Sequence, residues 1–504
     1  MFSNLLAGFA NVFQPLNLLM AVFGTVAGVV IGALPGLSGS TGIILLLPLV
    51  YKLDSSPALL LLCGLFCGSM YGGSISAILL NTPGTPSATA TLLDGYPMTK
   101  KGEAGRALGI SAVSSFIGGL VSAICLALIA PQLAKVALSF TSPDFFALSI
   151  FGLSIMASTG KDTVKGLISG FVGLLISTVG VDQVAGIDRF TFGNVRLMRG
   201  LQLLPVLIGV FALSEVFTLV QKGGEREGAA ASQKVGRVIP NRDDFLALIV
   251  SAIIGGLIGV FIGIIPGTGG AISCFLAYQV AKKISKRGDL FGTGIPEGIA
   301  APEASNNGTT GGALIPMLCL GVPGDTVTSV MLGALTLIGI TPGPQLFVES
   351  EGITIVYAII AGMIVIQFIM LFTGLGCAKV SPTILKIPQT LLLPLIACLC
   401  IVGAFSNSNN LFDVLIAIVF GIIGFGMKKF GYPGAPLVLG LVLGPLAEAN
   451  LNRSLILSGN SWTTFITHPI SCTFLVLSVI IIVFSIVKNI KDKRKENVTE
   501  EANK

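Results

Sequence analysis

Apolar runs that cross, or nearly cross, the roughly 30 Å of bilayer hydrocarbon recur along this chain. They lie near 105–131, 144–158, 162–181 and 201–221, then near 353–375, 390–404, 411–427, 434–450 and 470–488. Between them charge is scarce: 11% of the 504 residues are Asp, Glu, Lys or Arg, where a soluble domain carries about 25%. The hydrophobic share is 53% and the mean hydropathy +0.91. So few charges cannot cover a soluble surface of this size. The expected fold class is an all-α polytopic membrane protein with about eleven full crossings plus hairpins.

Two regions, 16–99 and 244–340, are apolar yet repeatedly interrupted by Pro and Gly. "VIGALPGLSGSTG" at 30–42 and "FIGIIPGTGGAIS" at 261–273 each place Pro-Gly and hydroxyl residues inside such a run. Unpaired backbone in hydrocarbon costs several kcal/mol per group, so it is tolerated only where it is buried in protein or lines a cavity. A lone Pro-Gly is most simply a kink. A pair at matching places points to a shared cause.

The matching extends along the chain. Pro35 and Pro266 are 231 residues apart, as are "LPVLIG" at 204–209 and "APLVLG" at 435–440. "NTPGT" at 81–85 precedes "GVPGD" at 321–325 by 240, and Ser142-Pro143 precedes Ser381-Pro382 by 239. Landmarks in one order at nearly constant offset define a repeat. The expected organisation is a first transmembrane repeat at 1–221, a cytoplasmic linker at 222–243 and a second repeat at 244–450. An additional C-terminal helix at 451–488 and a cytoplasmic tail at 489–504 follow.

Basic residues set the orientation, because Lys and Arg prefer cytoplasmic loops. Lys282, Lys283, Lys286 and Arg287 follow the second break, whereas the first is followed only by Lys52 beside Asp54. Lys100, Lys101 and Arg106 have no basic counterpart in "TPGPQLFVESEG". Placing the linker and tail inside also accommodates Lys161, Lys165, Lys428 and Lys429. It requires an odd number of crossings per half, so the repeats are expected to be inverted. The N-terminus is then outside (periplasmic, if the membrane is the bacterial inner membrane that the resemblance below implies) and the C-terminus cytoplasmic.

Inverted repeats with broken or re-entrant helices near the midplane mark the binding site of secondary transporters. Freed N–H groups at a helix start suit an anion, while carbonyls and hydroxyls suit a cation. Four stretches supply such groups. For substrate they offer Pro35, Gly36, Ser38, Gly39, Ser40 and Thr41, then Asn81, Thr82, Gly84 and Thr85. The second half offers Gly267, Thr268, Gly269 and Gly270, with Asn306, Asn307, Gly324 and Thr326 in "PEASNNGTTGG" and the following "VPGDT". Asp325, Thr309 and Thr310 are the expected cation ligands. Glu215, Glu448, Asp162 and Asp413 sit at expected helix ends, where a solvated carboxylate needs no further account.

Several classes lack their parts. There is no GxxxxGK[ST] phosphate loop: "PGTGGAIS" has no Lys and follows a membrane run. His468 is the single histidine and sits in a loop, so no His-based relay or metal centre is expected. The nine cysteines match no metal spacing and read as small hydrophobes. Trp462 suits an interfacial anchor.

The paired "GALPGLSGSTG" and "GIIPGTGGAIS" occur with "MYGGSISAILLNTPGTPSATATLLDGYPM" and "APEASNNGTTGGALIPMLCLGVPGDT". Together, across about residues 16–488, these strings resemble the large membrane subunit of tripartite tricarboxylate transporters, the TctA type. The resemblance implies a bacterial inner-membrane permease, not an enzyme, importing a tri- or dicarboxylate such as citrate. It implies a small TctB-like membrane subunit and a periplasmic TctC-like substrate-binding protein as partners. It also implies no cofactor beyond a coupling cation, Na+ or H+. The alternative is an uncoupled channel or a scaffold subunit of a membrane complex.

Overall fold

The computed structural model describes residues 2–34, 36–158, 162–182, 186–221, 235–385 and 389–502. Pro35, Lys161 and the 222–234 part of the expected linker lie outside them. Two compact units are built from interleaved segments: Met1–Lys135 with Glu215–Asn409, and Val136–Ser214 with Asn410–Lys504.

The first unit opens with α1 (Phe2–Val12), α2 (Pro15–Ala33), α3 (Gly39–Val50) and α4 (Ser55–Leu80). A 3-10 turn at Pro86–Thr89, α5 (Leu92–Lys100) and α6 (Ala104–Ala137) follow. The second unit contributes α7 (Ser142–Ser158), α8 (Thr163–Ser177) and a two-stranded antiparallel ribbon with Gly180 opposite Arg189. It continues with α9 (Leu203–Leu207) and a π turn at Ile208–Leu213. From α10 (Ser214–Gln221) the chain rejoins the first unit through α11 (Arg242–Ile264), α12 (Gly269–Ile284), α13 (Pro296–Leu320) and α14 (Thr326–Leu337). α15 (Ser350–Ile384) and α16 (Gln389–Ser408) complete that unit. α17 (Leu411–Lys429), α18 (Gly434–Leu457), α19 (Thr464–Thr467) and α20 (Pro469–Ala502) complete the second.

Among the described residues nine helical stretches are long and apolar enough to cross a membrane: α2, α4, α6, α9 through α10, α11, α15, α17, α18 and α20. The runs expected at 144–158, 162–181 and 390–404 are helical, but their apolar stretches, Ser142–Ser158 in α7, Thr163–Ser177 in α8 and Thr390–Phe405 in α16, are shorter than these. At 1.5 Å per residue such lengths reach only about 22–26 Å. A second correction concerns "PEASNNGTTGG". Pro302 to Gly312, expected as an interruption, lies inside the continuous α13. Its glycines serve contact with neighbouring helices instead of a break.

Glycine spacing explains why the helices around the breaks pair so closely. In α2, Gly24, Gly28 and Gly32 recur every fourth residue and form a ridge without side chains. A Cβ at any of them would come within 3.0 Å of the carbonyl oxygens of Leu61, Leu65 or Ser69 on α4. Gly64, Gly68 and Gly72 of α4 meet the carbonyls of Ala21, Thr25 and Val29 in return. The same contacts recur 231 and 240 residues later. Gly255, Gly259 and Gly263 of α11 meet the carbonyls of Ala301, Ser305 and Thr309 on α13, and Gly308 and Gly312 of α13 meet those of Gly256 and Val260. In membranes such small-residue ridges replace the missing hydrophobic drive with van der Waals contact.

The second unit has its own core of Leu153, Met156, Leu439 and Leu443, where α7 and α18 meet. Gly173 of α8 meets the Leu437 carbonyl of α18, and the Phe151 and Phe474 rings tie α7 to α20 at 5.2 Å. Arg189 of the ribbon grips Glu448 of α18 with both terminal nitrogens and lies 3.4 Å from Asp182.

Candidate functional site

The site is assembled within the first unit, where two helix pairs are interrupted. Between α2 and α3 the chain turns at Gly36, whose φ of +90° is the left-handed region that glycine tolerates. Ser38 then caps α3: its hydroxyl accepts the Thr41 N–H at 3.3 Å and lies 3.1 Å from the Thr41 hydroxyl. Ser40 and Thr41 are buried in the first turn. Between α11 and α12 the matching turn is at Gly267, φ +79°. Its N–H donates to the Gly324 carbonyl at 2.7 Å. Thr268 donates back to the Ile262 and Ile265 carbonyls at 2.6 and 2.8 Å, satisfying the end of α11.

Two further turns complete the set. α4 ends at Asn81, in the left-handed region at φ +57°, and exposed Thr82 follows. Gly84 then folds back against the Gly32 carbonyl, and the Thr85 hydroxyl lies 3.1 Å from that of Ser87. α13 ends at Gly321, φ +69°, and Gly324 folds back against the Gly263 carbonyl. Asp325 caps α14, its Oδ1 accepting the Thr328 N–H and hydroxyl, each at 2.7 Å. Thr326 is half-buried at the first position of that helix.

Each break is seated against an element of the other half. A Cβ at Gly39, the first residue of α3, would meet Ser69 of α4 and the Val327 methyl at the start of α14. A Cβ at Gly270, in the first turn of α12, would lie 3.0 Å from Ser87 in the 3-10 turn, 3.2 Å from Asn306 Oδ1 and 3.5 Å from the Thr309 hydroxyl. Gly39 and Gly270, Ser69 and Thr309, and Val327 and Ser87 are related by the same offsets of 231 and 240. Beside them Gly269, φ +65°, faces open space.

The polar groups here are of two kinds. Some are spent: the Thr309 and Thr310 hydroxyls donate to carbonyls one turn back on α13, at 2.6 and 2.7 Å. Others are idle. Asn306 donates Nδ2 to the Met70 carbonyl at 3.0 Å, but among the described residues its Oδ1 has no partner, and Asn307 has none at either side-chain atom. Both residues are fully buried. An idle buried amide costs about 1–3 kcal/mol. Two N-terminal helix ends, hydroxyls and idle amides can hold a small anion together with a cation. A cleft of about 130 Å³ lined by Ser251, Ser285 and Glu297 lies at the opposite end of α12 and is separate from the breaks.

One buried carboxylate was not among the expected residues. Glu303 of α13 is 0% exposed and accepts hydroxyl bonds from Ser74 at 2.5 Å, Ser111 at 2.7 Å, Ser115 at 3.2 Å and Thr91. Its signal was present: an acidic residue inside a long uncharged stretch is a functional pointer by default. A second, Asp94 of α5, accepts the Tyr278 hydroxyl at 2.8 Å and the N–H groups of Gly292, Gly294 and Ile295 at 3.0, 2.7 and 3.1 Å. It thereby fixes the loop that leads into α13. Asp162, as its position at a helix end implies, caps α8.

A family model described as "Tripartite tricarboxylate transporter TctA family" matches residues 18–439. The chain is 36% identical over 500 residues to an uncharacterized 52.8 kDa protein in the TAR-I ttuC' 3' region of Agrobacterium vitis, covering 99% of both chains. It is also 36% identical over 238 residues to an uncharacterized protein in the TAR-II ttuC' 3' region of the same organism, covering 47% of this chain and 98% of that one. No solved structure matches.

Proposed function

This chain belongs to the tripartite tricarboxylate transporter TctA family, and on that premise we propose that it is the permease that carries a citrate-like tri- or dicarboxylate into a bacterial cell. The family is one of transporter components, not of enzymes. A periplasmic TctC-like protein delivers the anion, a small TctB-like subunit completes the complex, and a Na+ or H+ gradient drives net uptake. The carrying observation is the pair of breaks, each completed by an element of the other half. The reading also takes the halves as inverted, with the N-terminus outside the inner membrane and the C-terminus inside. Two breaks facing opposite ways let one substrate position be reached from either side in turn.

In this scheme the N-terminal turns of α3 and α12 hold carboxylate groups through their N–H ends, and Ser38, Ser40, Thr41 and Gly269–Gly270 line the approach. Asn306 contributes its idle Oδ1, an acceptor for a solute hydroxyl or a cation, and Asn307 its whole side-chain amide. Asp325 with Thr309 and Thr310 forms the cation side, where hydroxyl lone pairs and carbonyls remain able to coordinate. The test is uptake of labelled citrate by proteoliposomes holding the full chain with both partner proteins, with and without a Na+ or pH gradient. Accumulation under one gradient is the expected result. Uptake that never exceeds equilibration under any gradient would support the uncoupled channel, and none at all would leave the scaffold role.

A further inference from the structure

We propose, building on the transporter reading, that Glu303 is the residue that carries the coupling proton. Buried carboxyl groups can be held in two ways, and this protein contains both. Three of the partners of Asp94 are backbone N–H groups, which donate and cannot accept. The cage around Glu303 consists of four hydroxyls, from Ser74, Thr91, Ser111 and Ser115. A hydroxyl donates or accepts according to how it rotates. When a proton binds a Glu303 oxygen, one hydroxyl accepts from it and turns its own hydrogen to a carbonyl of its helix, a bond that Ser and Thr make readily. The cage therefore accommodates both protonation states without stranding a donor.

Charge around the group favours exchange over permanent pairing. Among the described residues no Lys, Arg or His bonds Glu303. Facing it are Tyr71 of α4 and Cys274 of α12, with Asp94 of α5 and Tyr278 of α12 engaged with each other at the start of α13. Arg106 of α6 is committed to Glu103 and to Asp244 of α11. A carboxylate with no counter-charge, deep in a membrane protein, is costly unless its state is part of the cycle.

The position links protonation to movement. Glu303 lies one turn before Asn306 and Asn307 on α13, and its four partners come from α4, the start of α5 and α6. When it is ionised, four charge-assisted bonds tie α13 to those elements; such bonds are roughly twice as strong as neutral ones. A proton from water on the periplasmic side neutralises the group and loosens that tie, freeing the wall of the α12 break. Release to the cytoplasmic side restores it. Glu303 is sealed from solvent in the present conformation, so proton exchange requires the cage to open.

Two measurements on the full chain separate this inference from the transport reading beneath it. In proteoliposomes with the partner proteins, an inside-alkaline pH gradient should drive accumulation of labelled citrate. Glu303→Gln should reduce that accumulation at least tenfold, while citrate counterflow, which moves no net proton, falls far less. Infrared difference spectra of the purified chain in lipid, titrated between about pH 5 and 9, should contain the carbonyl stretch of a neutral carboxyl that titrates and is missing from Glu303→Gln. Gradient-driven accumulation by Glu303→Gln, or a spectrum without that band, overturns the proposal. If the wild type moves no citrate, the transport reading fails and the infrared band still decides the proton site. If Glu303→Gln does not reach the membrane, Ser111→Ala with Ser115→Ala takes its place and should shift the midpoint of the band; an unmoved midpoint also overturns it.

Discussion

At the scale of single residues, the difference between satisfied and idle polar groups carries the functional content. Asp244 is satisfied. Outside the apolar part of α11, its carboxylate takes Arg106 through two bonds, at 2.5 and 3.0 Å, and the Asn241 N–H at 3.1 Å. The Arg106 guanidinium, ahead of the Asn241 N–H, holds it below the usual carboxylate range. A lowered folded-state value gives stability that is present above the ordinary carboxylate range and fades as pH falls through the folded value. Arg106 is about a third exposed, so Asp244→Asn should cost about 1 kcal/mol near neutrality. Thermal melts in detergent should show the difference from wild type shrinking towards zero as pH drops below about 4. Asn306 is the opposite case. Asn306→Ala removes an idle oxygen along with one bond to Met70, so its melting temperature should stay near that of the wild type. Citrate uptake should nevertheless fall more than tenfold, and wild-type uptake in this variant would take Asn306 out of the substrate site.

At the scale of elements, glycine does two separable jobs. Gly28 and Gly259 hold helices in contact, and a Cβ there collides with backbone. Gly28→Ala should therefore cost roughly 1–3 kcal/mol and cut the amount of folded protein recovered in size-exclusion chromatography. Gly269 has open space and only its positive φ to defend, so Gly269→Ala should cost about 1 kcal/mol and leave recovery near that of the wild type. Gly36→Val and Gly267→Val strain the two turns directly, and each should reduce citrate uptake well below its loss in expression. Wild-type uptake at normal expression in both would remove the breaks from the mechanism. The turns themselves were legible in sequence because Pro-Gly removes a donor and frees the backbone at adjacent positions, which an apolar helix rarely survives. The continuity of α13 was not. Its Pro302 and its "NNGTTGG" stretch resemble a break in one dimension, and only burial on every side, with α4, α6 and α11 against it, keeps the helix intact. The pointer to Glu303 was in the sequence, as an acidic residue in a long uncharged stretch; what was not legible was its role, because its hydroxyl partners, scattered from Ser74 to Ser115, converge only in the fold. Cysteine exposure was also only partly legible, since Cys398 is exposed while Cys63, Cys67, Cys319 and Cys400 are buried.

At the scale of the whole molecule, membrane class followed from the apolar runs, and the offsets of 231 and 240 recur in the glycine contacts of α2 with α4 and of α11 with α13. The interleaving of segments in the two compact units did not follow from either. Offsets say which residues correspond; they do not say which half each residue touches. A crosslink addresses that level. The positions of Ser87 and of a Cβ at Gly270 are close enough for a disulfide after a small relaxation. Ser87→Cys with Gly270→Cys should close under mild oxidation, stop citrate uptake, and recover with reductant. Continued uptake by the fully crosslinked protein would mean that these elements stay together throughout the cycle.

The exchange of neighbours at the breaks also bears on descent. A single half, standing alone, would leave each notch seated on one side only: Gly39 would keep Ser69 and lose Val327, and Gly270 would keep Asn306 and Thr309 and lose Ser87. Drift on one side is therefore answerable on the other: a larger residue at 39 needs room at 69 and 327, and one at 270 needs room at 87. Related sequences should preserve those pairs as pairs while the residues beside them vary freely.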